Sequence, residues 1–182
     1  MIFLARNKLN KKSKFLSLIL RHKPDLVNIT LDKKGYAPVK DILESLSLTA
    51  LELDEIVATD EKGRYSYNDD KTKIRANQGH SIDVEMDFKE DIPPDVLFHG
   101  TATKSLDNIY KRGIMKMGRQ YVHLSKDYDT AVKVGKRHGN PIVLKIDTKS
   151  MHNDGILFYI SENGIWLTEH IPPKYITIAK AD

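Results

Sequence analysis

Two residues able to hold an anion stand together where the chain cannot stay helical. In "LILRHKPDL", residues 18–26, Arg21 and His22 close an apolar run, and Pro24 biases Lys23 away from helical geometry. Cations at a helix carboxyl end complement its dipole, which needs no ligand. Arg21, His22 and Lys23 also make a compact anion site, and a histidine near neutrality can give or hold a proton. A second arginine, Arg64, opens the alternating stretch "RYSY", in which Tyr65 and Tyr67 share one face and Arg64 and Ser66 the other. A third, Arg75, leads "RANQGHS", where Gly79 lets the backbone come close to a ligand. Strand arginines are usually solvated, so none of these is decisive singly.

Later in the chain, "FHGT" puts His99 at the end of an apolar strand, with Gly100 permitting close backbone approach and Thr101 offering a hydroxyl. "YVHLS" repeats the arrangement: Tyr121 and His123 face one way, Val122 and Leu124 face the core, and Ser125 follows. Imidazoles paired with hydroxyls suit ribose hydroxyls and a nicotinamide amide. With no cysteine and seven histidines, none at HxH or HxxxH spacing, no disulfide or thiolate metal site is available and no structural metal is expected.

The elements that must position these groups follow from pattern. Ser13 can cap a helix carrying Phe15, Leu16, Ile19 and Leu20 and ending near His22. "ITLDKKGYAPV" reads as a strand pair about a Lys-Lys-Gly turn, and "VKDILESL" as a helix. Thr49 and Glu52 form a capping box before "LELDEIVAT", and "RYSYNDDKTKIRA" is a hairpin about an Asn-Asp-Asp turn. This order resembles a winged helix. The acidic, proline-bearing "VEMDFKEDIPPDV" reads as a solvated linker. Beyond it come strand "VLFHGT", a helix ended by Gly113, strand "YVHLS", a helix ended by Gly139, and the strands "PIVLKID", "ILFYI", "IWLT" and "YITIAK". The class is α+β, with lobes at 1–88 and 95–182 and a ligand cleft expected where they join.

Composition agrees with a soluble protein: 182 residues, 40% hydrophobic, 30% charged, and no apolar run of membrane-spanning length. The start, "MIFLARNKLNKK", lacks a signal peptide's apolar region, so a cytoplasmic location with no membrane partner is the expectation. A net charge of +4, with 29 basic residues interleaved among 25 acidic ones, suggests a polyanionic partner only mildly.

The motifs become specific in combination. "KFLSLILRHKP", "LDKKGY", "GRYSY", "IRANQGHS", "LFHGT", "GRQYVHLS", "RHGNPIVL" and "NGIWLT", in that order, resemble the tRNA 2'-phosphotransferase (KptA-type) family from about Ser13 to Thr168. The resemblance implies an N-terminal winged-helix lobe that binds RNA and a C-terminal ADP-ribosyltransferase-like lobe that binds NAD, used as a co-substrate. It implies a catalytic quartet of Arg21, His22, Arg64 and Arg119, with NAD contacts from His99, Gly100, Thr101, His123 and Ser125. RNA contacts are assigned to Lys23, Arg75, Gln78, Gly79 and His80. Two positions depart from the family pattern: Tyr36 stands where tryptophan is frequent, and Asn28 where glycine is.

The implied reaction removes an internal 2'-phosphate from RNA, as at a tRNA splice junction. The phosphate attacks the anomeric carbon of the nicotinamide ribose and expels nicotinamide. The ribose 2''-hydroxyl then attacks the phosphate, releasing 2'-OH RNA and ADP-ribose 1'',2''-cyclic phosphate. A doubly charged phosphate beside a phosphodiester needs several converging donors, and arginine supplies planar, permanently charged ones. Many ADP-ribosyltransferases carry a glutamate on a late strand where this chain has Ile165, which suits an acceptor that is already ionised. The rivals are an ADP-ribosyltransferase that caps terminal phosphates of RNA or DNA, and a non-catalytic winged-helix binder. No protein partner is implied, and a monomer suffices.

Overall fold

The structure, a computed structural model, describes residues 2–180, with side chains from residue 9 onward. The chain divides into two compact units, residues 1–87 and 88–182. Both are mixed α and β, and among the described residues every strand pairing in either is antiparallel.

The first unit opens with α1 (Ile2–Arg21). This corrects the expected start at Ser13, which lies mid-helix and buried. The reason is spacing: Leu9, Ser13, Leu16 and Leu20 recur at four, three and four residues, so Ser13 belongs to the inward stripe. After the helix, Pro24–Val27 forms a 3₁₀ turn closed by Asn28 at φ 53, a left-handed position that explains why glycine suits this place.

The expected strand pair at residues 29–39 is not formed on both sides. Only β1 (Tyr36–Pro38) is a strand, because Asp32 folds the chain locally: its Oδ1 accepts from the Lys34 and Tyr36 amides, and its carbonyl accepts from Gly35 N at 2.8 Å. Helix α2 (Val39–Leu46) ends at Ser47, and α3 (Ala50–Ala58) carries the anticipated capping box. Thr49 Oγ1 accepts from Glu52 N at 3.2 Å, and Glu52 Oε2 accepts from Thr49 N at 2.9 Å. Strands β2 (Tyr65–Tyr67) and β3 (Lys73–Ala76) form the hairpin, giving the order β1-β3-β2. In that register Ala37, Ile74 and Tyr67 form one row, and Tyr36, Arg75 and Ser66 the next. Consecutive rows face opposite sides. The first points to a core built on Leu16, Ile19, Leu20, Ile42 and Leu53, so the second is the side from which polar chemistry is offered.

The second unit contains β4 (Lys89–Glu90), β5 (Val96–Ala102), α4 (Leu106–Arg112), β6 (Ile114–Met115), β7 (Val122–Leu124), α5 (Tyr128–Gly135), β8 (Pro141–Asp147), α6 (Thr148–Asn153), β9 (Tyr159–Ile160), β10 (Trp166–Thr168), β11 (His170–Ile171) and β12 (Ile176–Ile178). They make sheets β4-β9-β10-β7 and β12-β8-β5, with β6 paired to β11. Phe98 and Ser125 exchange backbone hydrogen bonds of 2.9 and 2.8 Å, which sets β5 beside β7. Leu97, Leu144, Ile146, Met151 and Phe158 are fully buried at the centre.

Three expectations are corrected here. The stretch 84–96 is not a free linker: Glu85 N donates to Lys33 O at 2.7 Å within the first unit, while Lys89–Glu90 adds an edge strand to the second. The helix expected to reach Gly139 ends at Gly135, and residues 136–138 follow as turns whose amides bond to Val132, Val134 and Gly135 carbonyls. Ile165 precedes β10 as part of a turn, its amide donating to Ser161 Oγ at 3.0 Å.

Gly100 answers a packing need. A Cβ there would lie 1.8 Å from the Ala131 carbonyl oxygen and 2.9 Å from Gly135 N, so α5 rests directly on β5. The close approach read from "FHGT" is therefore, in the structure, that of a helix.

Candidate active site

In the first unit, residues 75–81 act as a strap between two arginines. Asn77 donates its amide to the Arg64 carbonyl and its Nδ2 to the Gly63 carbonyl, each at 2.8 Å, and accepts from Ser66 Oγ at 2.6 Å. Four residues on, the Ser81 amide donates to the Arg21 carbonyl at 3.0 Å, and Ser81 Oγ lies 2.9 Å from His22 Nδ1. Gly79, at φ 87, passes the Arg21 guanidinium so closely that a Cβ would touch it at 3.8 Å. The structure thus links Arg21, His22 and Arg64 through one short segment, and Ser81, not singled out from sequence, holds the imidazole.

The Arg64 side chain is about three-quarters covered. Its Nε donates to Asp60 Oδ1 at 2.8 Å, its Nη2 donates to Ser13 Oγ at 3.2 Å, and its guanidinium lies 5.3 Å from the Tyr65 ring centre. Tyr65 Oη donates to the Ser13 carbonyl at 2.6 Å, so α1 anchors both residues. Sequence pattern missed Asp60 and misplaced Ser13. The inward stripe of α1 was the available signal for the second.

The five residues assigned to RNA contact divide by exposure. Lys23 is exposed and Gln78 half-buried, while Gly79, Arg75 and His80 are buried. Arg75 stacks its guanidinium 4.7 Å from the Tyr36 ring centre, a role for the tyrosine that departs from the family pattern. His80 is 1% exposed, and neither ring nitrogen has a hydrogen-bond partner among the described residues. Burial first, and then the charges of Arg21, His22 and Arg75, push its pKa down to about 4. A neutral imidazole therefore sits inside a cationic cluster, in the interior of the unit, which leaves Lys23 and Gln78 as the more accessible members of the set.

In the second unit, His99 and His123 come from the adjacent strands β5 and β7. His99 Nδ1 donates to the His123 carbonyl at 3.1 Å, so neutral His99 carries its other nitrogen, Nε2, as an acceptor. Burial is the main cause of its lowered pKa. The His123 carbonyl bond opposes that, and the charges of His138 and Arg119 add to it. Arg119 follows the Lys116 turn, with its amide donating to the Lys116 carbonyl at 3.0 Å, and its Nη1 lies 3.4 Å from His123 Nδ1. A guanidinium only donates, so this contact makes Nδ1 the acceptor. Although Arg119 is exposed as a residue, desolvation of its head and then the like charge of Arg137 press its pKa below the usual arginine value. Arg137 was not singled out from sequence. Ser125, two residues after His123, is half-buried, and Thr101, two residues after His99, is buried.

The model of the RNA 2'-phosphotransferase, Tpt1 / KptA family matches residues 7–170. The chain belongs to this family. Its relatives among these transferases extend over nearly the whole length. A protein of Fusobacterium nucleatum named "Probable RNA 2'-phosphotransferase" is 51% identical over 172 residues, covering 91% of this chain and 96% of the relative. Proteins of the same name from Flavobacterium johnsoniae and Acaryochloris marina are 50% and 48% identical, each covering 90% of this chain and 93% of the relative. No helix among the described residues of this RNA 2'-phosphotransferase family member is long and apolar enough to cross a membrane.

Proposed function

We propose that this chain removes an internal 2'-phosphate from RNA, with NAD as co-substrate, and that Arg21, His22, Arg64 and Arg119 act together on that phosphate. The observation that carries the reading is the family match across residues 7–170, a span that contains all four. In this reading the first unit is a winged-helix RNA-binding lobe and the second an ADP-ribosyltransferase-like lobe.

The second unit has donors and acceptors suited to NAD. His99 offers Nε2 as an acceptor, and His123, Thr101 and Ser125 add an imidazole and two hydroxyls. These fit a sugar diol and a carboxamide, whereas Gly100 serves α5 and offers only its backbone. NAD supplies an anomeric carbon able to accept the phosphate as nicotinamide leaves. The arginines hold the phosphate oxygens and, fixed in advance, stabilise charge that builds as the phosphate is passed on. His22, oriented by Ser81, hydrogen-bonds the phosphate and delivers the proton needed by the departing RNA 2'-oxygen. Lys23 and Gln78 meet the flanking RNA backbone.

Incubating the purified protein with a short RNA bearing one internal 2'-phosphate, with and without NAD, tests this reading. The expected products, only with NAD, are 2'-OH RNA, nicotinamide and ADP-ribose 1'',2''-cyclic phosphate. RNA that keeps its phosphate, or RNA joined to ADP-ribose as a stable end product, would overturn it, the latter in favour of a capping activity.

A further inference from the structure

Asp60 has both carboxylate oxygens committed to a single residue. Oδ1 accepts from Arg64 Nε at 2.8 Å, and Oδ2 accepts from the Arg64 backbone amide. The carboxylate is 3% exposed, against 24% for the arginine side chain it holds. Ion pairs four residues apart are common and, when solvated, add only a few tenths of a kcal/mol. This one differs in two respects. The pair lies in a loop, where Gly63 N donates to the Asp60 carbonyl at 2.8 Å with Gly63 at φ 51, so no helix sets the spacing. And the buried carboxylate chelates main chain and side chain of one residue, which fixes the side chain relative to its own backbone.

We infer that Asp60 is the positioning residue of Arg64, clamping the guanidinium through Nε so that its outer Nη edge is presented to an anion. The contacts divide the fork accordingly. Asp60 takes the Nε side, Ser13 Oγ takes one Nη2 hydrogen, and the Nη edge is the one a phosphate engages with two parallel hydrogen bonds. A carboxylate this near also lowers the positive charge felt by a bound phosphate. Asp60 therefore gives up some anion affinity for a fixed direction, and that combination separates positioning from plain scaffolding. The inference rests on the functional reading above, in which Arg64 contacts the 2'-phosphate.

The test compares Asp60→Asn, Ser13→Ala, Arg64→Ala and the double variant Asp60→Asn/Arg64→Ala on 2'-phosphorylated RNA with NAD. In parallel, the Arg64 Nε–H resonance and its exchange with solvent are followed by NMR of arginine-labelled protein. Asp60→Asn is expected to lower kcat roughly 10- to 100-fold, the scale of a displaced catalytic group, while KM for the RNA stays level or falls. Ser13→Ala is expected to give a smaller loss in kcat, and the double variant to be no slower than Arg64→Ala alone. The Arg64 Nε–H is expected to shift and exchange faster in Asp60→Asn.

Unchanged kcat in Asp60→Asn, a loss that multiplies with that of Arg64→Ala, or a rise in KM without a fall in kcat would overturn the inference. Should Asp60→Asn prove unfolded, Ser13→Ala and the protection of Nε–H in the unaltered protein decide the matter: an unprotected Nε–H sinks it. A protein inactive on this RNA refutes the functional reading instead, and the resonance still reports whether Asp60 holds Arg64.

Discussion

The two units place their candidate residues by different means. In the second, His99 and His123 stand on neighbouring strands, and ladder hydrogen bonds fix their spacing, with the Phe98–Ser125 pair locking β5 to β7. In the first, Arg21, His22 and Arg64 all lie outside strands. Side-chain hydrogen bonds position two of them: Ser81, 59 residues on, for His22, and Asp60, four residues back, with Ser13, 51 residues back, for Arg64. A strand site is rigid wherever its sheet is intact, whereas a site tied by single hydrogen bonds can be loosened one bond at a time. The first unit is therefore where small changes should disturb chemistry without unfolding, and the second where they should disturb the fold first.

Gly100→Ala tests the second half of that contrast and carries the largest expected effect on stability. Its Cβ would meet the Ala131 carbonyl at 1.8 Å, backbone against backbone, so α5 must leave β5 at a cost of about 3 kcal/mol or more. Trp166, the single tryptophan, sits in that unit's core, and its fluorescence should show the midpoint of urea unfolding fall sharply. An unchanged midpoint would mean that the strand–helix contact does not govern this unit.

His80 marks the limit of the first half, a buried group through which the first unit's stability is vulnerable. Its folded pKa of about 4 lies below the ordinary 6.5, so between those values the unfolded chain takes up a proton that the folded unit refuses. Stability contributed this way is complete above about pH 6.5 and is lost as pH falls toward 4, by about 3 kcal/mol. Protection against hydrogen exchange at residues 74–76 should weaken over that window in the unaltered protein, and His80→Gln should flatten the dependence. The smallest expected effect is at the α3 capping box, where Thr49→Ala should cost about 1 kcal/mol in equilibrium unfolding and leave turnover unchanged.

The same contrast explains what could be read in the chain. The histidines of the second unit were legible because alternation along "YVHLS" and "VLFHGT" fixes which side chains share a face. The capping box at Thr49 and the hairpin at residues 65–76 were legible because both depend on neighbours in sequence. Ser13 was not, since a serine before an apolar run also looks like a helix cap, and only its place on the buried stripe of α1 distinguishes the two. The strand expected at residues 29–32 failed because Asp32 satisfies the local amides by itself, which propensity along the strand does not reveal. Asp60 carried no signal beyond its spacing from Arg64. Its role depends on burial, and burial is a property of the folded loop.

The proposed function has basic residues of both units serve one reaction. It is tested most directly by comparing NAD-dependent loss of the RNA 2'-phosphate in the unaltered protein, Arg64→Ala and Arg119→Ala, with folding verified for each. A loss of roughly 100-fold or more in both variants is predicted, the scale of removing a preorganised charge-stabilising donor. Full activity retained in both would contradict it.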